Sequence, residues 1–268
     1  MSEPNIAGNF TEAHNCVKMT DIIVLSKAIK KIPGLITLES LTFVKNFFVK
    51  DDDIFLVTYP RSGTHWMIEI VCLILSEGDP TWVQTVQNHT RFPWFEYEDS
   101  QKLLMDQNRP HLIVTHLPIQ LFPNSYFTSR AKIIYIIRNP RDVATSLYHI
   151  QNQAPKIKGR WTFEEFLHAF TNGDLTYGSW FDHTLGWLTR RTTENFLLMS
   201  YEELQWDLRA SIQKVCRLLG KHLSPEQLES VVRYASFSVM KENKMSNTMM
   251  LKISEDKPAF LLRFAEKG

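Results

Sequence analysis

Residues 51–75 read DDDIFLVTYPRSGTHWMIEIVCLIL, and the fold follows from this stretch. Ile54 to Tyr59 carry no charge and are aliphatic, aromatic or β-branched, as a strand buried on both faces requires. Pro60, Ser62 and Gly63 break that strand, and from Thr64 onward an apolar run suits a helix. In such a strand, loop and helix, the main-chain amides of Ser62 to Trp66 are first-turn donors aimed at one point. The amides and the helix dipole together make that point a site for phosphate or sulfate. Arg61 adds a full positive charge inside the loop. The second glycine and terminal Lys-Ser/Thr of a G-x-x-x-x-G-K-S/T loop are missing, which disfavours a nucleoside triphosphatase or kinase.

Three further apolar runs repeat the pattern. His111 to Val114 ends at Thr115-His116-Leu117-Pro118, and Lys132 to Ile137 ends at Arg138-Asn139-Pro140 before RDVATSLYHI. Phe196 to Ser200 runs into YEELQWDLRASIQKVCRLLG. This alternation predicts an α/β fold, a single domain over residues 1–268 with a central parallel sheet flanked by helices. Ligands of open parallel sheets sit beyond the carboxyl ends of the strands, so Arg61, His116, Arg138 and Tyr201 are expected to meet in one crevice. Helical or loop segments at 79–110 and 151–170 join these units, the second containing the amphipathic TFEEFLHAF.

With 268 residues, 44% of them hydrophobic, the chain is long enough for one large core. Its 30 basic residues nearly balance 29 acidic ones, so no nucleic-acid surface is expected and any anion site must be local. Cys16, Cys72 and Cys216 form no C-x-x-C pair, and His65, His89, His149 and His183 have no metal-ligand spacing; no metal is expected. Glu3, Glu12 and Asp21 precede any apolar run, and no stretch approaches a membrane span, which together with the lone cysteines points to the cytosol.

Arg138 ends a strand and precedes a proline suited to the first turn of a helix, where its guanidinium can grip a phosphate with two N–H groups. Ser146, two turns further on, can add a hydroxyl; the competing reading of Arg138 is an ion pair with Asp142. His116 is held extended ahead of Leu117-Pro118, where a neutral imidazole can take a proton from an alcohol or serve as a structural hydrogen bond.

Taken in order, TYPRSGTHW, THLPIQLFP, YIIRNPRDVATS, YGSWFDH, LLMSYEEL and MKENKMSN resemble the cytosolic sulfotransferase family from about residue 51 to 250, most closely its hydroxysteroid branch. The resemblance implies transfer of the sulfuryl group of 3′-phosphoadenosine 5′-phosphosulfate (PAPS), without a metal, to a hydroxyl of a hydrophobic small-molecule alcohol such as a hydroxysteroid or bile acid-like acceptor. Carried onto matching positions, it makes Arg61, Ser62, Gly63, Thr64, His65 and Trp66 the 5′-phosphosulfate loop. Arg138 and Ser146 are then the 3′-phosphate site, Tyr201 lies by the adenine, and Phe237 and Met240 pack the base. His116 becomes the general base, Arg61 the cation at the leaving oxygen, and Trp94 and Tyr177 the lining of the acceptor pocket.

The chain also departs from the family pattern. Arg61 stands for a lysine, His65 for a threonine or asparagine, and His89 for a pocket tryptophan. Ala235 replaces a serine or threonine that contacts the cofactor, a lost hydrogen bond worth roughly 0.5–1.5 kcal/mol. Of the Arg-Lys-Gly triplet that helps hold the 3′-phosphate, only Arg263 is in register, and the sequence ends before the family's C-terminal dimerisation motif. The resemblance therefore carries no oligomeric state with it, and the alternative expectation is a truncated, catalytically weak or inactive binding protein.

Overall fold

In the computed structural model, which describes residues 36–153 and 161–246, β1 (Ile54–Thr58) is buried at every position. It pairs in parallel with β2 (Leu112–Thr115) on one side and with β3 (Lys132–Ile137) on the other, and β4 (Phe196–Ser200) completes the order β2-β1-β3-β4. A strand central to a parallel sheet has helices over both faces, which is why an uninterrupted apolar run specifies it better than an alternating one. The second strand starts one residue later than the apolar pattern suggests. The His111 carbonyl still accepts from the Ile54 amide at 2.9 Å, but the His111 ring turns away to the Asp53 carboxylate at 3.0 Å.

The helices are α1 (Leu38–Asn46), α2 (Thr64–Leu75), α3 (Thr81–Thr85), α4 (Asn88–Arg91), α5 (Glu98–Met105) and α6 (Pro140–Gln153). They continue with α7 (Phe163–Asn172), α8 (Trp180–Leu188), α9 (Tyr201–Trp206), α10 (Leu208–Leu219), α11 (Pro225–Tyr234) and α12 (Phe237–Glu242). The segment at 79–110 thus contains three short helices. Phe55 and Tyr135 share one face of the sheet, against Phe95, Phe122, Tyr126 and Trp187, with ring centroids 5.1–6.4 Å apart. On α2, Met67 to Ile74 is buried without a break, and within that run Glu69 forms a buried ion pair with Arg91 of α4. No helix among the described residues is long and apolar enough to cross a membrane.

Packing at the carboxyl end of the sheet also encloses titratable groups. Burial pushes His116 and His183 down to about 3 and His65 down to about 4, while it pushes Glu96 up to about 7 and raises Glu69. Below pH 6.5 the three histidines bind protons in the unfolded chain but not in the folded one, so each contributes stability that is lost as pH falls. The two carboxyls act in the opposite sense, but three rings outnumber them, so near pH 5.5 unfolding takes up protons on balance and stability falls as pH falls. The thermal midpoint is expected to fall as pH is lowered from 6 to 5; a midpoint that holds or rises over that interval contradicts neutral burial of these rings.

Candidate active site

The chain leaves β1 through a turn in which Arg61 and Gly63 both adopt left-handed backbone, with φ of 74° and 99°. A Cβ on Gly63 would come within 2.8 Å of Cδ2 of Tyr201, so the position needs glycine for space as well as for conformation. The first helical bond of α2 runs from the Met67 amide to the Gly63 carbonyl at 3.1 Å, which leaves the amides of Gly63 to Trp66 ahead of the helical ladder. Ser62 departs from expectation here, because its amide closes the turn onto the Tyr59 carbonyl at 3.3 Å instead of joining the convergent donors. A 2.7 Å bond between the hydroxyls of Thr58 and Thr64 ties the end of the strand to the start of the helix.

On one side of this loop the structure gathers positive charge. Arg138 donates from Nη1 to the Arg61 carbonyl at 2.9 Å and lies 4.2 Å over the Tyr201 ring. Arg61 Nε donates to Ser146 Oγ at 2.8 Å, so loop, strand end and α6 meet at one place. Burial, followed by the neighbouring Arg138, pulls the Arg61 guanidinium down to about 9. No ion pair joins Arg138 to Asp142 among the described residues, and Arg138 Nε is buried without a partner there. Two guanidiniums and a hydroxyl in so small a space suit a dianion.

Tyr201 is the first residue of α9, placed by a capping box between Ser200 and Glu203, and its ring lies 5.7 Å from that of Trp66. Trp66 Nε1 donates to the Ala235 carbonyl at 2.7 Å and so brings the end of α11 to the loop. Phe237 and Met240 lie just beyond on α12; the Phe237 ring is 65% exposed and joins no aromatic cluster among the described residues. Arg263 lies outside the described residues.

His116 sits on the other side of the loop, immediately after β2. Its Nδ1 is 2.7 Å from the Thr58 carbonyl and 3.0 Å from the Thr58 hydroxyl. A carbonyl only accepts, so Nδ1 carries the proton and Nε2 keeps the lone pair. The His116 amide donates to Glu96 Oε1 at 3.0 Å, and the same oxygen accepts from the Tyr177 hydroxyl at 3.3 Å. Tyr177 in turn bonds Tyr97 at 3.1 Å. Trp94 and Tyr177 stand edge-on to the imidazole at 4.6 and 5.1 Å between ring centroids, and Trp94 stacks on Tyr97. His65 bonds Asn88 through Nδ1 at 2.8 Å, with its ring 6.4 Å from Trp94.

Loop, arginine cluster, Tyr201 and His116 therefore share one end of the sheet, and Trp94 and Tyr177 enclose the imidazole. Glu96, Tyr97, Asn88 and His183 belong to the same assembly but were not singled out from sequence. A carboxylate inside the aromatic FPWFEYE was a usable signal for Glu96; the others had none. Among the described residues no group of three or more His, Cys, Asp or Glu side chains is arranged to hold a metal ion.

Residues 51–263 match the family model of the sulfotransferase domain. Over 232 residues the chain is 48% identical to Sulfotransferase 2A1 of Macaca fascicularis, covering 86% of this chain and 81% of that protein. It is 50% identical over 219 residues to Sulfotransferase 2B1 of Homo sapiens (81% of this chain, 60% of that one). It is also 49% identical over 205 residues to the 3-beta-hydroxysteroid sulfotransferase of Cavia porcellus (76% and 71%). Among solved structures, mouse sulfotransferase SULT7A1 complexed with PAP superposes with a TM-score of 0.68 at 34% identity, covering 81% of this chain and 77% of that one. Matches of this length and identity show that the chain belongs to the sulfotransferase family of enzymes.

Proposed function

We propose that this chain moves the sulfuryl group of PAPS to the hydroxyl of a hydrophobic alcohol of the hydroxysteroid class, with Nε2 of His116 as the general base. The observation that carries the reading is the bond from His116 Nδ1–H to the Thr58 carbonyl, which leaves a lone pair on Nε2 beside the anion loop. Two relatives from Cavia porcellus bear the names 3-beta- and 3-alpha-hydroxysteroid sulfotransferase, which supports the acceptor class. PAPS, when bound, supplies a sulfuryl group on a phosphate leaving group.

The residues present fit that co-substrate. Gly63 lets the loop close against Tyr201, and the amides of Gly63 to Trp66 are available to the phosphosulfate end. Arg138, with its buried Nε, and Ser146 hold the 3′-phosphate. Trp66, Tyr201, the exposed Phe237 and Met240 flank the base, while Trp94 and Tyr177 bound the acceptor. Arg61 offsets charge developing on the leaving oxygen, and the loop amides do the same without needing to reorganise. Burial keeps His116 neutral, so its base form is present at every physiological pH. As the acceptor oxygen bonds to sulfur and the bond to the leaving phosphate oxygen breaks, the hydroxyl becomes acidic enough to give its proton to the neutral imidazole.

Labelled sulfuryl transfer from PAPS to a panel of hydroxysteroids is expected to fall by about 10²–10⁴-fold in His116→Ala. Equal turnover in wild type and variant removes His116 from the mechanism.

PAP at about a hundred times its Kd is expected to stabilise the folded chain by about 2.7 kcal/mol, read as a rise in thermal midpoint. Arg138→Met and Gly63→Ala are each expected to lose most of that rise, the second by driving a methyl group into Tyr201. No rise for wild type at millimolar PAP contradicts the nucleotide site. A rise without turnover of any hydroxysteroid contradicts transfer and leaves a binding protein.

A further inference from the structure

The carbonyl of His116 has a partner that the transfer mechanism does not use. His183, on α8 and 1% exposed, places Nε2 at 3.1 Å from it. Because a carbonyl only accepts, this nitrogen carries the proton, and Nδ1 of the same ring then accepts from the Tyr135 hydroxyl at 3.0 Å. Thr184 Oγ1, 3.3 Å from that hydroxyl, is a second and longer acceptor for its single proton. The ring is stacked 5.8 Å from Tyr135 and meets Tyr59 edge-on at 5.5 Å. Both nitrogens are therefore engaged, and His183 has no lone pair or proton left for an acceptor.

The carbonyl it holds lies where the sheet can no longer help. The β1–β2 ladder ends with Val57 opposite Thr115, so the peptides of His116 and Leu117 fall beyond it. One turn along α8 from His183, Trp187 donates from Nε1 to the next carbonyl, that of Leu117, at 3.1 Å. Glu96 holds the His116 amide from the opposite side. The Leu117 amide donates to Thr115 Oγ1 at 3.0 Å, so without the α8 donors the His116–Leu117 peptide keeps its N–H anchor but loses the one on its carbonyl side, and the setting of the imidazole against Thr58 loosens.

We propose that His183 is a positioning residue, which acts through the His116 carbonyl to hold the His116 ring in the orientation and tautomer the base needs. The proposal rests on the reading of His116 as base, and the test separates the two. In folded His183→Leu, kcat is expected to fall about tenfold to a hundredfold. The KM for PAPS and the PAP-induced rise in thermal midpoint are expected to stay near wild type. His183→Gln, whose amide N–H lies near the place of Nε2, is expected to restore most of kcat. In ¹⁵N-edited NMR, the His116 Nδ1 proton is expected to exchange slowly in wild type and His183→Gln and faster in His183→Leu. Should His183→Leu not fold, Tyr135→Phe, which removes the donor to Nδ1 of His183, is expected to show the same faster exchange in weaker form.

Unchanged kcat and unchanged exchange in His183→Leu, or in Tyr135→Phe if that is the folded variant, overturn the proposal. So does a His183→Gln variant as impaired as His183→Leu. Wild-type turnover that survives His116→Ala defeats the reading of the base instead, and the exchange measurement still decides whether His183 holds the ring.

Discussion

Everything at the carboxyl end of the sheet depends on the register in which Val57 of β1 stands opposite Thr115 of β2. The next residue on each strand is then Thr58 and His116, brought abreast just as the ladder runs out. Thr58 answers with both of its polar groups, the carbonyl to the imidazole and the hydroxyl to Thr64. A slip of one residue would turn the histidine to the other face and separate it from the anion loop. The start of β1 guards against that slip: buried Asp53 accepts from the Lys50 amide at 2.9 Å and contacts the His111 ring and Arg109.

Charge is distributed by the same geometry. Arg61 and Arg138 lie on one side of the loop, while Glu96 stands behind the main chain of His116 and touches the base only through its amide. A carboxylate bonded to the ring itself would raise its proton affinity and compete with the anion the arginines attract. Directed at the backbone, it orients the residue without that cost. The Tyr177 hydroxyl donates to the same Glu96 oxygen and is itself bonded to Tyr97, while Glu96 Oε2 is buried with no hydrogen-bond partner among the described residues.

Much of this was legible in the sequence. Strands β3 and β4 and the start of α2 at Thr64 follow directly from apolar runs and their breakers, because a parallel sheet buries its strands on both faces. The convergence of Arg61, His116, Arg138 and Tyr201 followed from topology, since all four leave the carboxyl ends of parallel strands. Partners fixed by tertiary packing were not legible. Glu96 reaches the His116 amide across 20 residues and His183 reaches its carbonyl across 67, and neither separation leaves a local pattern. Two details turned on single bonds that composition cannot report: the Ser62 amide folding back on Tyr59, and Arg61 leaning toward Ser146.

The link between Trp66 and residue 235 bears on how such a chain can vary. An alanine at 235 looks like the loss of a polar contact, yet the indole of Trp66 is received by the main-chain oxygen at that position, an atom every amino acid possesses. Ala235 is itself fully buried, so small side chains can exchange there while the loop stays tethered to the end of α11. The contact then depends on the identity of the tryptophan at one end and only on the size of the side chain at the other.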